Sequence, residues 1–136
     1  MAKGKSPRAL KLERLTYKQF NALPRERTML IATLSPLEVH GPHLPLGQDM
    51  FEGYALAEHA GRKLMAEQTD WQVVMLPVTP VACDGVPKPG TVTFPAPMVR
   101  DIAVGLLAPF AKAGFARLAY TTFHGGPRHV CALEDA

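Results

Sequence analysis

Three apolar segments of strand length, separated by stretches of helical periodicity, constrain this chain more than any other feature. Residues 29–34, MLIATL, form an unbroken apolar run, as expected of a strand covered on both faces. Val73 to Val78 is a second such segment, interrupted near Pro77 and Pro80, and Arg117 to Thr122 is a third. Between the first two, a helix is expected from about Met50 to Gln68. Met50, Tyr54, Ala57, Gly61 and Leu64 recur there at helical spacing, with Glu52, Glu58, Arg62 and Glu67 on the other faces. Residues 97–113 predict another helix, with a kink or an early end at Pro109, because an interior proline costs roughly 3 kcal/mol. Gly114 suits its C-terminus. Ahead of the first strand, Leu15, Phe20 and Leu23 predict a short amphipathic turn or helix, N-capped by Thr16 and stopped by Pro24.

Three strands alternating with two helices predict an α/β fold. It is a βαβαβ unit with a mostly parallel sheet, flanking helices and right-handed crossovers. Ligands in such sheets bind at the carboxyl ends of the strands. Polar clusters do follow the strands: Glu38 to Asp49 the first, Asp84 to Gly90 the second, His124 the third. Three strands and two crossovers leave sheet edges and apolar faces uncovered, which predicts either neighbours in an oligomer or a part of a longer polypeptide. The second is the expectation favoured here, with the chain ending inside a third helix.

The 136 residues allow one domain, and an apolar fraction of 47% with 20% charged residues is that of a globular chain rather than a disordered one. No apolar run approaches the roughly 20 residues of a membrane span. The N-terminus lacks the apolar stretch of a signal peptide, so a cytoplasmic protein is expected. Cys83 and Cys131 form no CxxC pair and read as small apolar fillers. The net charge of +3 divides unevenly, +6 over residues 1–27 and −3 over the rest. Residues 1–14 read as a basic flexible arm ahead of a domain over 15–136. No stacking surface or nucleic-acid motif accompanies the arm, so neither a nucleic acid nor a membrane is expected as partner.

The segment SPLEVHGPHLPLGQD carries the most chemistry. In an extended backbone Glu38 and His40 point to the same side, and Pro42 and Pro45 restrict the loop behind them. Asp49, at the mouth of the next helix, suits a bridging carboxylate or an ordinary N-cap. His124, leaving the third strand, reaches the same crevice if that strand lies beside the first. Four of the five histidines, His40, His43, His124 and His129, fall in two short segments after strands, while His59 reads as a partly exposed helix residue. Mixed imidazole and carboxylate ligands suit Zn²⁺ or Mn²⁺, and the lack of thiolates argues against a closed structural zinc. Gly125 and Gly126 read either as a turn that needs positive φ or as main-chain donors for a carboxylate or oxyanion. The residues alone leave a metal site and ordinary structural roles equally open.

At these positions the sequence resembles the N-terminal part of the creatininase (creatinine amidohydrolase) family. Its first motif is matched throughout by Glu38-Val-His40-Gly-Pro-His43-Leu-Pro-Leu-Gly47-Gln-Asp49. The family's Pro-Gly-Thr element is present as Pro89-Gly90-Thr91, its Gly-Phe as Gly114-Phe115 and its His-Gly-Gly as His124-Gly125-Gly126. The resemblance implies an α/β sandwich-like domain, commonly in homohexamers. It also implies two divalent ions, Zn²⁺ or Mn²⁺, hydrolysing the non-peptide C–N bond of a small, often cyclic, amide. By position, Glu38 and His124 would hold one ion, His40 the other, and Asp49 would bridge them around an activated water.

Two departures bear on catalysis. Pro127 replaces the asparagine that usually follows His-Gly-Gly, and Gly126 stands where creatininase itself has a further glutamate ligand. In most relatives that ligand and a proton-shuttling histidine are expected from a C-terminal half. A metal-dependent amidohydrolase is therefore the leading expectation. A catalytically silent, truncated subunit with a structural or binding role is the alternative. The catalytic acid is not assigned.

Overall fold

A computed structural model of the chain describes residues 8–136. Elements follow in the order β1 (Leu10–Lys11), α1 (Tyr17–Asn21), β2 (Thr28–Thr33), α2 (Gln48–Glu67), β3 (Gln72–Met75), α3 (Ala96–Lys112), β4 (Arg117–Thr121) and α4 (Pro127–Glu134), with 3₁₀ turns at Leu12–Arg14 and Arg25–Arg27. The strands make one parallel sheet in the order β1-β3-β2-β4. Its α/β class and parallel βαβαβ centre are those expected.

Alternation along the strands assigns each side chain to a layer. Leu30, Ala32, Leu34, Val74 and Leu76 face α3 and the α1 region, packing with Ala103, Leu107 and Phe115. Ile31, Val73 and Met75 face α2 and pack with Ala57 and Met65. The central strands are thus apolar on both faces, which explains why MLIATL shows no alternation.

The strand β2 lies between β3 and β4, so the chain leaves β2 toward one side through α2 and returns to its other side through α3. This reversal opens a crevice at the carboxyl ends of β2 and β4. The helix α2 reaches that crevice because it lies close to the sheet. A Cβ at Gly53 would sit 3.1 Å from both Ser35 Oγ and Thr33 Cγ2. The buried stripe of α2 is Asp49, Gly53, Ala57, Gly61 and Met65, one position offset at its ends from the periodicity read in the sequence.

Several expectations are corrected. Leu10 and Lys11 are not a loose start: they pair with Val74 and Met75 as a fourth strand. Two residues are too short for periodicity to reveal. Leu12–Arg14, also within the arm expected over 1–14, form a 3₁₀ turn, and residues 1–7 of that arm lie outside the described residues. The helix α3 does not end at Pro109 but continues to Lys112. The proline lies near its last turn, and Val99, Ala103 and Leu107 pin the helix by burial. Gly114 follows with φ +90°, as a helix end requires. Thr16 caps α1 in a capping box with Gln19. Cys83 is buried, but Cys131 is exposed and fills nothing. Among the described residues no helix is long and apolar enough to cross a membrane.

Candidate metal centre

Glu38 and His40 lie on the extended segment after β2, Asp49 in the first turn of α2, and His124 just after β4. Ligand atoms of Glu38, His40 and Asp49 all fall within 4.8 Å of one another. His124 joins from the other side, its Nδ1 at 3.1 Å from Glu38 Oε2 and 3.3 Å from Asp49 Oδ2. His40 Nε2 stands 3.0 Å from Asp49 Oδ1 and 3.9 Å from Glu38 Oε2. Each carboxylate oxygen of Asp49 therefore faces a different imidazole.

Asp49 is not the N-cap that one reading of the sequence allowed. The helix starts at Gln48 with Gly47 as cap, and the Asp49 side chain is buried in the crevice. Burial pushes its carboxyl above the usual value, and the neighbouring His40 and His124 pull it back only in part. The helix N-terminus adds a favourable field for negative charge there.

Main-chain carbonyls settle the orientation of both rings. A carbonyl only accepts, so His124 Nε2–H donates to Cys83 O at 2.8 Å and His40 Nδ1–H donates to Glu38 O at 3.1 Å. The other nitrogen of each ring, a bare lone pair in the neutral tautomer, is turned onto carboxylate oxygens. Lone pairs facing lone pairs at 3 Å repel unless a proton or a metal cation lies among them. This is how metal-binding histidines are held, with the distal N–H anchored to a main-chain oxygen. The donor set fits a divalent ion.

The loop after β3 closes the crevice. Val86 N–H donates to Glu38 Oε1 at 2.6 Å, and Thr91 Oγ1, from the Pro-Gly-Thr element, accepts from Val39 N–H at 3.2 Å. In the sequence these contacts were marked only by the polar cluster Asp84 to Gly90 and the Pro89-Gly90-Thr91 element, neither of which told their partners. Behind His124, Thr122 Oγ1 accepts its main-chain N–H at 3.1 Å, and the His129 ring lies 5.3 Å away, centroid to centroid. His129 is fully buried; its Nε2–H points at Leu34 O, while Nδ1 has no hydrogen-bond partner among the described residues. His43 and His59 are exposed.

Gly125 and Gly126 do not adopt the positive φ that a turn reading implied; Gly126 has φ −62° and is the N-cap of α4. Gly126 is needed for space instead. A Cβ there would sit 2.6 Å from His124 Nε2 and 2.7 Å from the Asp84 Cβ. Gly125 is exposed, with open space where a side chain would be.

The family model of creatininase, described as creatinine amidohydrolase, matches residues 13–136. The chain belongs to the creatininase family. Solved structures agree on the fold of this creatininase-family chain. A candidate creatinine amidohydrolase from Bacteroides fragilis NCTC 9343 superposes with TM-score 0.76 at 16% identity, covering 95% of this chain and 51% of that one. A mutant creatininase of Zn-Zn type gives 0.70 at 19% identity over 95% and 51%. A structure described as creatininase Mn gives 0.68 at 19% identity over 93% and 49%. The chain thus spans about half the length of these structures. No curated protein matches it significantly by sequence.

Proposed function

We propose that this chain binds divalent ions at Glu38, His40, Asp49 and His124 and supplies that centre for metal-dependent hydrolysis of a non-peptide C–N bond in a small amide. The observation that carries the reading is the arrangement of His40 and His124, each anchored to a main-chain carbonyl and each turning its other nitrogen onto Asp49. Glu38 and His124 would hold one ion and His40 a second, with Asp49 shared through its two oxygens. Imidazole and carboxylate donors without thiolate suit Zn²⁺ or Mn²⁺, and the Zn-Zn and Mn forms of the similar creatininases favour the same pair. Ions held there would acidify water near neutral pH and polarise a substrate carbonyl.

The chain's own groups set the rest. Val86 N–H fixes one oxygen of Glu38 and leaves Oε2 toward the crevice. Gly125, exposed directly after His124, and Gly126 would offer main-chain contacts to the substrate. A second reading, a catalytically silent subunit, is favoured by Gly126, which gives no carboxylate where creatininase has one. Elemental analysis of the purified chain decides the metal claim. About one or two Zn²⁺ or Mn²⁺ per chain is expected, lost in Asp49→Ala; no metal, or metal retained in that variant, sinks the reading. Hydrolysis of simple amides by the loaded chain would then separate enzyme from silent subunit.

A further inference from the structure

We infer that Asp84 is a positioning residue for the metal centre, clamping the loop after β3 onto the start of α4 so that its main chain holds His124 and Glu38 in register. The inference rests on the proposed metal site. Residues 83–86 touch that site at two points: Cys83 O receives His124 Nε2–H at 2.8 Å, and Val86 N–H reaches Glu38 Oε1 at 2.6 Å. Both contacts come from the backbone, so their precision depends on what immobilises the loop. Asp84 lies between them and is the one non-glycine with positive φ among the described residues, at +68°.

Its side chain supplies the restraint. Asp84 Oδ2 accepts the Arg128 main-chain N–H at 2.7 Å, and Oδ1 pairs with Arg128 Nε. Pro127 has no N–H, so Arg128 carries the first main-chain donor of α4, and Asp84 caps that helix from another part of the chain. Gly126 permits the contact, because any Cβ there would strike both the Asp84 Cβ and the His124 ring. The space a side chain at 126 would fill is used to bring loop, helix start and imidazole together. A surface ion pair would need none of this. The Asp84 side chain is only 13% exposed, against 77% for Arg128.

The test is titration of the metal-free chain of residues 1–136 with Zn²⁺, and with Co²⁺ for its visible spectrum, beside an unfolding curve for each variant. Asp84→Gly accepts the same φ without strain and should bind Zn²⁺ about 10–100-fold more weakly, with an altered Co²⁺ spectrum. Asp84→Asn keeps an acceptor for the Arg128 N–H and tolerates positive φ, so it should lose distinctly less. Unchanged affinity and spectrum in Asp84→Gly overturn the inference and leave the metal site standing. Equal losses in both variants, in step with lowered unfolding midpoints, also overturn it. If Asp84→Gly does not fold, Arg128→Pro, which removes that main-chain donor within the first helical turn, decides: several-fold weaker binding supports the clamp, and wild-type binding overturns it. Absence of binding by the wild type sinks the metal site itself.

Discussion

His124 is oriented by the carbonyl on one side of its ring as much as by the carboxylates on the other. The same opposition makes Asp49 expensive in the metal-free chain. Its carboxyl is buried beside Glu38, and burial raises its pKa, so ionising it costs more in the folded chain than in the unfolded one. Asp49→Asn should therefore abolish metal binding while leaving the metal-free chain as stable or about 1 kcal/mol more so; thermal unfolding with EDTA present checks this. A marked loss of stability would mean that Asp49 serves the fold. His129 behaves differently. Burial holds its imidazole below the ordinary value of 6.5, and His124 adds to that. The unfolded chain takes up a proton near that value which the folded chain refuses until lower pH. The stability at stake is fully present above about pH 6.5 and lost as pH falls below it. Urea midpoints of the metal-free chain between pH 7 and pH 5 should fall more steeply for wild type than for His129→Gln, by up to about 1.4 kcal/mol per pH unit. Parallel curves would refute it.

At the scale of elements, the depth of α2 decides whether Asp49 reaches the two imidazoles. The helix lies close because Gly53, Ala57 and Gly61 present little or no side chain to the strands. Gly53→Leu would press on Ser35, Thr33 and the Phe123 main chain, and overpacking of this kind costs about 1–3 kcal/mol. It should also weaken metal binding, since any outward shift of α2 carries Asp49 from His40 and His124. Unfolding and Zn²⁺ titration of the variant test both effects, and full binding despite lost stability would separate helix depth from site geometry. The elements themselves were readable in the sequence to within one or two residues for β2, α2, α3 and β4. Each is long enough to show a period or an apolar run. The strand β1 was not, since two residues have no period and its pairing with β3 depends on a neighbour distant in the chain.

Across the whole molecule, any ion that binds the folded chain and not the unfolded one must stabilise it. Excess Zn²⁺ or Mn²⁺ should raise the unfolding free energy by about 2.7 kcal/mol at a hundred times the dissociation constant, reversed by EDTA and absent in Glu38→Ala. No rise in wild type would count against the centre. The sequence by itself determined the α/β class, the parallel centre of the sheet and the residue types of the candidate site, because apolar runs, helical periods and a dense motif are local patterns. It left Asp49 between cap and ligand, and Gly126 between a positive-φ turn and a main-chain donor. Those questions belong to distance. Only the folded chain brings β4 beside β2, so that His124 meets Glu38 across 86 positions of sequence. Only it lays the Cys83 carbonyl and the Asp84 carboxylate against the far side of the ring and the start of α4. A main-chain oxygen is the same at every position, and nothing in a sequence marks the one that will hold a histidine.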